Sequence, residues 1–411
     1  MRKQATSTAL MMALAAALAA PAAADVEVAR VGGVNLFLGA HTVGTVQALD
    51  QENVFDSTGK EAGELEPGFQ TAWGNLELRG TFGEKEEIEM FFDLYLASRP
   101  HPSQTYGHEG WLLIRGVPEN LERLRGLDRV FDFVNVKVGH FEVAFGDHIR
   151  RRSDNADVQG NRLVGNYLVD PENVEVGAEF FSTPGKPVNW LIGVGSGTNT
   201  EDFREGRGTS LHGKVWTELP QDLRLALSYY TVDHSDNAVS KSNLFAAANR
   251  GGGRYGAVLA GGQAPGEITF QAGKDVSAWQ ADVTWAPKPI ELYAHYGRAT
   301  DDDINGNVAG SPKEEWSYWT TEAVYFFTED IFAAARYGRA EAETIGGVDS
   351  DASVSRLQAG MGFWMTKHLL AKLEYVDEQF DDFAVGQVIS GVQAWQEPSF
   401  DGLVAEVSFS F

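Results

Sequence analysis

The chain has 411 residues, a formal net charge of -25 at pH 7, no cysteine, 45 glycines and 14 prolines. Without cysteine, a disulfide framework and a thiolate metal site are both excluded, and the acidic balance with no basic stripe argues against a nucleic-acid partner. A mean hydropathy of -0.24 is too polar for a helical membrane protein, but not for a β-barrel, in which half of each strand faces water.

At the N-terminus, Arg2 and Lys3 precede an apolar run over 9–20, and Pro21, Ala22, Ala23 and Ala24 follow with small side chains before Asp25. This is the order of a secretory signal peptide over 1–24, with a run too short to cross a bilayer. No later stretch approaches the ~18 unbroken apolar residues of a membrane helix. An exported chain of this kind is either soluble in the periplasm or folds as a closed barrel. No boundary or repeat divides 25–411, which reads as one barrel domain.

From there on the pattern has period two. About sixteen strand-like segments of roughly ten residues can be placed, the length a tilted membrane strand needs. Ile88, Met90, Phe92, Leu94 and Leu96 alternate with Glu87, Glu89, Asp93 and Tyr95. Leu223, Leu225, Leu227 and Tyr229 alternate with Arg224, Ala226, Ser228 and Tyr230. Trp279, Ala281, Val283 and Trp285 alternate with Ala278, Gln280, Asp282 and Thr284, and Leu357, Ala359, Met361 and Phe363 with Arg356, Gln358, Gly360 and Gly362. A soluble sandwich would alternate in the same way, so the connections must decide. Short links at 83–85, 184–186, 220–221, 287–288, 328–329 and 366–367 alternate with long polar ones at 49–68, 99–109, 143–171, 197–207, 235–273, 301–315, 344–352 and 380–399. These are the short periplasmic turns and long extracellular loops of an outer-membrane barrel. One short-side link, 118–128, is longer, and Leu121, Leu124 and Leu127 predict a small helix in it. An even strand count puts both termini on the periplasmic side. Trp190, Trp279, Trp285, Trp319, Tyr325, Phe327, Tyr337, Phe363, Trp364 and Phe411 lie near strand ends, where interfacial aromatic girdles form.

A ring of about sixteen strands is too wide for its wall side chains to fill, so a water channel is expected unless something plugs it. The candidate constriction is the loop over 143–171, with Arg150, Arg151, Arg152 and Arg162 as its positive side and Asp147, Asp154 and Asp157 as its negative side. Clusters of opposite sign facing each other would set a transverse field across the pore. The other reading of this run is a solvated loop, or one that meets lipopolysaccharide phosphates. Strand parity puts Arg79, Lys137, Lys214, Arg224, Arg336, Arg356 and Lys372 on the lumen wall, together with Glu77, Glu89, Asp93, Glu175, Glu179, Asp282, Glu291, Glu322, Glu374 and Glu406.

Val136, Lys137, Val138, Gly139, His140, Phe141, Glu142, Val143, Ala144, Phe145 and Gly146, a strand followed by the start of that loop, resemble the corresponding strand of the phosphate-selective porins of the O and P type. The last strand resembles the assembly signal of outer-membrane barrels: Leu403, Ala405, Val407, Phe409 and Phe411 share one face, and Phe411 ends the chain. What the resemblance implies is a homotrimeric outer-membrane channel that passes small anions along a track of Arg and Lys, with an inward loop at the constriction. Family members often carry a basic residue and a proline where this chain has Glu142 and Ala144. Acids are also at least as numerous as bases on its wall, which points to a general porin.

Other chemistry is thin. His234 and Ser235 lie between Asp233 and Asp236 in a loop, a weak hydrolase constellation. His101, His108 and Glu109 match no metal spacing. Asp301, Asp302, Asp303, Asn305 and Asn307 lack the downstream Glu of a calcium loop, and Gly251, Gly252 and Gly253 precede no helix. No catalytic residue, metal site or cofactor is expected. The sequence therefore predicts an all-β transmembrane antiparallel barrel that acts as a passive channel for small hydrophilic solutes or ions in contact with lipid and lipopolysaccharide. The alternatives are a barrel hydrolase and a non-conducting barrel that binds an external partner through its loops.

Overall fold

The computed structural model describes residues 26–98, 104–183, 185–197, 209–233, 244–245, 254–259, 268, 270, 274–302, 313–389 and 392–411. The expected signal peptide, Pro184, His101, His234, Ser235, Asp236, Gly251, Gly252, Gly253, Asp303, Asn305 and Asn307 lie outside these residues.

Strands β1 (Val26–Val31) and β2 (Val34–Glu52) form a hairpin. Its two-residue turn is Gly32 and Gly33, with φ of 59° and 85°, the left-handed values that a tight hairpin turn demands. There follow β3 (Trp73–Phe82), β4 (Ile88–Ala97), β5 (Tyr106–Ile114), β6 (Val134–Glu142), β7 (Val174–Ser182) and β8 (Asn189–Gly195). The second half comprises β9 (Thr209–Leu219), β10 (Leu223–Asp233), β11 (Asp275–Trp285), β12 (Ile290–Asp302), β13 (Glu314–Phe326), β14 (Ile331–Ile345), β15 (Ser353–Thr366), β16 (Leu369–Asp381) and β17 (Ser399–Ser410). Each pairs antiparallel with its neighbour, and β17 closes the ring by pairing with both β16 and β2.

The closure has a seam. Along β2, residues 41–52 pair with β17, and residues 34–38 pair with β1. Strands β17 and β1 therefore share one place in the ring, which makes a closed antiparallel barrel of 16 strands. Phe411 sits at the join, exchanging backbone hydrogen bonds with Ala40 at 2.8 and 3.0 Å. Deleting Phe411 should lower several-fold the fraction of chains that run as a folded, heat-modifiable barrel on a gel. An unchanged fraction would show that the seam closes without it.

Side chains sort by parity as the alternation predicts. Phe92, Leu96, Leu225, Leu227, Tyr229, Met361 and Phe363 are exposed on the outer face, while Glu89, Asp93, Ser228, Gln280 and Gln358 are buried inside. Aromatic contacts mark two outer rows, Trp279 with Tyr296 and Trp319 with Tyr337 in one, Tyr325 with Phe327 in the other. Trp279 and Trp285 lie on one strand, about 20 Å apart at ~3.3 Å per residue, a separation suited to interfacial belts. Trp364 departs from the expected girdle: it packs inside against Leu163, Val324, Phe332, Ala334 and Leu370, because it shares the inward parity of Arg356, Gln358, Gly360 and Gly362 on the same strand.

The six short links fall between consecutive strands on one rim. The longer one folds as two helical turns, Glu122–Leu127 and Asp128–Phe131, as its leucine spacing predicts. Several loop boundaries move, two of them at residues singled out above. Strand β5 already begins at Tyr106, so His108 and Glu109 belong to the wall, and β12 runs to Asp302. Buried Asp301 accepts from Lys274 Nζ at 2.5 Å and from the Glu314 amide at 2.7 Å, so it is already committed to partners. Gly139, in the segment that resembles the porin strand, has φ of 144°, and a Cβ there would meet the Gly110 carbonyl oxygen at 2.4 Å. Only glycine lets β6 lie this close to β5.

Candidate functional site

The loop over 143–171 folds into the barrel and touches the wall on several sides. It leaves β6 with Val143 and Phe145 buried in a large apolar cluster. It then meets the wall at β9 and β10, where the Gly146 amide donates to Ser228 Oγ at 3.0 Å and the Gly146 carbonyl accepts from Lys214 Nζ at 2.6 Å. A short helical turn, His148–Arg150, redirects the chain. Residues 154–157 form a tight turn closed by two backbone hydrogen bonds between Asp154 and Asp157, 2.8 and 2.9 Å. This turn lies against β2, β3 and β4: Asn155 donates to the Gly74 and Ala97 carbonyls, and Val43 and Trp73 pack on Ala156 and Val158. The returning arm crosses β14 to β16. There Lys372 Nζ donates to the carbonyls of Val158, Asn161 and Leu163, and the Val164 and Gly165 amides donate to Glu374.

The arginines do not line up as one positive face. Arg150 is exposed to water, and Arg162 is partly exposed, stacked over Phe326 and Phe332 and 3.6 Å from Glu291. Arg151 turns into the wall and pairs with Glu291 and Glu322. Arg152 turns to the loop's own root, where it pairs with Glu142, Asp170 and Glu172. Of the acids expected to oppose them, Asp154 lies 3.8 Å from Arg152 Nη1. The helical turn at His148–Arg150 sends successive side chains in different directions. Asp147 instead pairs with wall cations, Lys214 at 2.7 Å and Arg224 at 2.6 Å. Asp154 and Asp157 keep about a quarter and a third of their side chains exposed, at 27% and 35%. The loop's water-facing edge thus carries both signs: Arg150, Asp154, Asp157 and Arg162.

The cations expected on the lumen wall are committed to partners. Lys137 pairs with Glu179, Arg336 with Glu322, Arg356 with Glu378 and Lys372 with Glu406, at 2.5, 2.5, 2.5 and 2.8 Å. Arg79 lies over the Phe37 ring, 4.1 Å from its centroid. Among the acids, Glu89 pairs with Arg115, and Asp282 accepts from Gln280 and Tyr293. Glu175 accepts from Tyr230 and Asn173, and Glu179 is also 3.0 Å from His212.

Burial alone would raise the Asp147 carboxyl, but Lys214 and Arg224 outweigh it and hold the group well below the ordinary carboxylate range. At the loop root the balance reverses. Burial pushes Asp170 up to about 6, Arg152 offsets only part of this, and Glu172 adds to it. An acid whose pKa rises on folding costs stability once ionised, so this cost is absent below pH ~4 and complete above ~6. A rise from the ordinary value to about 6 corresponds to about 2–3 kcal/mol. Asp170→Asn should therefore flatten a loss of thermal stability between pH 4 and 7 in detergent. Equal slopes in the two proteins would refute this assignment.

A second inward segment was not anticipated. Arg254 stacks over Trp73 and pairs with Glu406, the Tyr255 hydroxyl donates to Glu374 at 2.5 Å, and the Gly256 amide donates to Gln47. Leu244, Phe245, Val258, Leu259, Ile268 and Phe270 join the apolar cluster with Val143, Phe145 and Leu168. Their apolar character inside a loop read as polar was the available signal.

The fold is thus a closed sixteen-strand antiparallel barrel with a loop folded into its lumen. No protein-family model matches the chain, and no curated protein does. Solved structures share the architecture. OmpT, an outer membrane protein of Vibrio cholerae, is 10% identical with a TM-score of 0.58 over 94% of this chain and 100% of that one. An anion-selective porin from Comamonas acidovorans is 11% identical with a TM-score of 0.58 over 92% and 100%. The outer membrane channel DcaP of Acinetobacter baumannii is 10% identical with a TM-score of 0.55 over 94% and 100%. At these identities the likeness is one of fold.

Proposed function

We propose that the chain is an outer-membrane porin, a passive channel for small hydrophilic solutes and ions. The observation that carries this reading is the loop over 143–171, braced inside a ring too wide for wall side chains to fill, with Arg150, Asp154, Asp157 and Arg162 toward water. No chemical step is needed: the wall supplies width and charge, and the solute gradient drives transport. A trimer in contact with lipid and lipopolysaccharide suits this reading, and one of the OmpT structures is described as a trimer form. Swelling of proteoliposomes in neutral sugars tests it: entry should slow steeply with sugar size, and no entry of even the smallest sugar would sink it.

The finer reading, preference for anions such as phosphate, draws on the 136–146 segment alone. Against it, Lys137, Lys214, Arg224, Arg336, Arg356 and Lys372 each pair with a carboxylate. We favour a general porin with weak cation preference. A second reading, a non-conducting barrel, is favoured by the apolar cluster that packs the inner face toward the long loops; it predicts no sugar entry. A hydrolase needs a histidine beside a nucleophile. The buried histidines His148, His212 and His295 lie against the Pro171 carbonyl, Glu179 and the Tyr293 hydroxyl, whereas His41 lies 2.9 Å from the Ser410 hydroxyl and, among the described residues, is the one that leaves this reading open. Turnover of lipid or peptide by the refolded protein would revive that reading.

A further inference from the structure

We propose that His41, Glu77 and Asp157 bind a borderline first-row divalent cation, of the zinc or cobalt class, which ties the lumen loop to the barrel wall. His41 and Glu77 stand on the paired strands β2 and β3, and Asp157 comes from the tight turn of the loop. One donor atom from each lies within 4.8 Å of the others. His41 Nε2 is 3.2 Å from Glu77 Oε1, and Asp157 Oδ1 is 3.8 Å from the other ring nitrogen. A tetrahedral ion with bonds near ~2 Å needs ligand atoms about 3–3.5 Å apart, so the Asp157 carboxylate must swing from the Nδ1 side of the ring toward Nε2 to complete the set. The side chains of His41 and Glu77 are 1% and 6% exposed, and among the described residues Glu77 Oε2 has no hydrogen-bond partner and His41 Nε2 has none beyond its contact with Glu77.

The surroundings are those of a ligand set. His41 Nδ1 lies 2.9 Å from the Ser410 hydroxyl, an outer contact that orients the ring and leaves Nε2 to face Glu77. Asp157 is partly open to the lumen, which gives an ion a way in. Two carboxylates sharing one imidazole are short of positive charge. Lys372 also faces Asp157, but its ammonium is held by Glu406 and by three loop carbonyls. One imidazole and two carboxylates suit zinc, cobalt or iron(II) better than calcium. A similar trio, His108, Asp154 and Glu172, lies nearby. There Arg152 already pairs with Glu172, and the Tyr95 hydroxyl donates to Asp154.

The test uses the untagged, folded barrel in detergent, titrated with Co2+ by visible absorption and with Zn2+ by calorimetry. We expect saturation at one ion per chain. His41→Gln and Asp157→Asn should each weaken binding by at least about tenfold, and Ser410→Ala by about tenfold through the ring's orientation. His108→Gln should change it by less than about twofold. Because a variant may fold poorly, X-ray absorption of Zn2+ on the unaltered protein gives an independent reading, with one imidazole among oxygen ligands expected. No saturable binding, a zinc shell without imidazole, or binding lost in His108→Gln but kept in His41→Gln would each overturn the assignment.

Discussion

Glu322→Ala should release the lumen loop and destabilise the barrel. Glu322 is buried between two guanidiniums, with Arg336 Nε donating at 2.7 Å and Arg151 Nη2 at 2.5 Å, and Tyr167 OH lies 3.3 Å away. Removing the carboxylate takes the paired carboxylate from Arg336 and leaves Arg151 with Glu291 alone, in a site of low dielectric. Breaking a buried pair in this way costs about 3–5 kcal/mol. Arg336 also donates to the Gly165 carbonyl and to Asn161 Oδ1, so the loss spreads along the returning arm. The expected results are a lower melting temperature in detergent and rapid protease cleavage between residues 148 and 166. Glu322→Gln keeps the shape and part of the hydrogen bonding, and should lose less. Equal stability of all three proteins would show that the loop is held elsewhere.

Cutting out residues 148–169 and joining the ends with a short Gly-Ser linker should enlarge the passage. The loop covers Arg336, Arg356, Lys372 and Glu374, all of which are buried in the intact chain. Without it they face water on the side the loop leaves open, while Tyr255 still reaches Glu374. Conductance scales with open cross-section, so the unit step should rise at least about twofold. Larger sugars should also enter liposomes. An unchanged step would mean that the segment around 254–259, and not this loop, sets the narrowest point.

The two mutants probe what the sequence could and could not reveal. The wall was legible because each strand divides two media, and a period of two records that division directly. Leu225, Leu227 and Tyr229 outside with Ala226, Ser228 and Tyr230 inside are read off without reference to any partner. The loop was legible as a charged segment but not as a folded one, because its anchors are remote in sequence. Arg224 meets Asp147 across 77 positions, and Lys372 meets Val158 across 214. No local pattern distinguishes Arg150, which faces water, from Arg151 and Arg152, which are locked in ion pairs. The trio of His41, Glu77 and Asp157 was illegible for the same reason. The second inward segment did leave a trace, since Leu244, Phe245, Tyr255, Val258 and Leu259 are costly to leave in water.

The central claim, a water-filled passage edged by charges of both signs, is met most directly by single-channel recording in a planar bilayer under a salt gradient. Discrete, ohmic steps are expected, with a reversal potential displaced slightly toward that of the cation. Arg150→Ala with Arg162→Ala should displace it further in the same direction. A membrane that stays silent at high protein load, or a reversal potential at the anion limit, would contradict it.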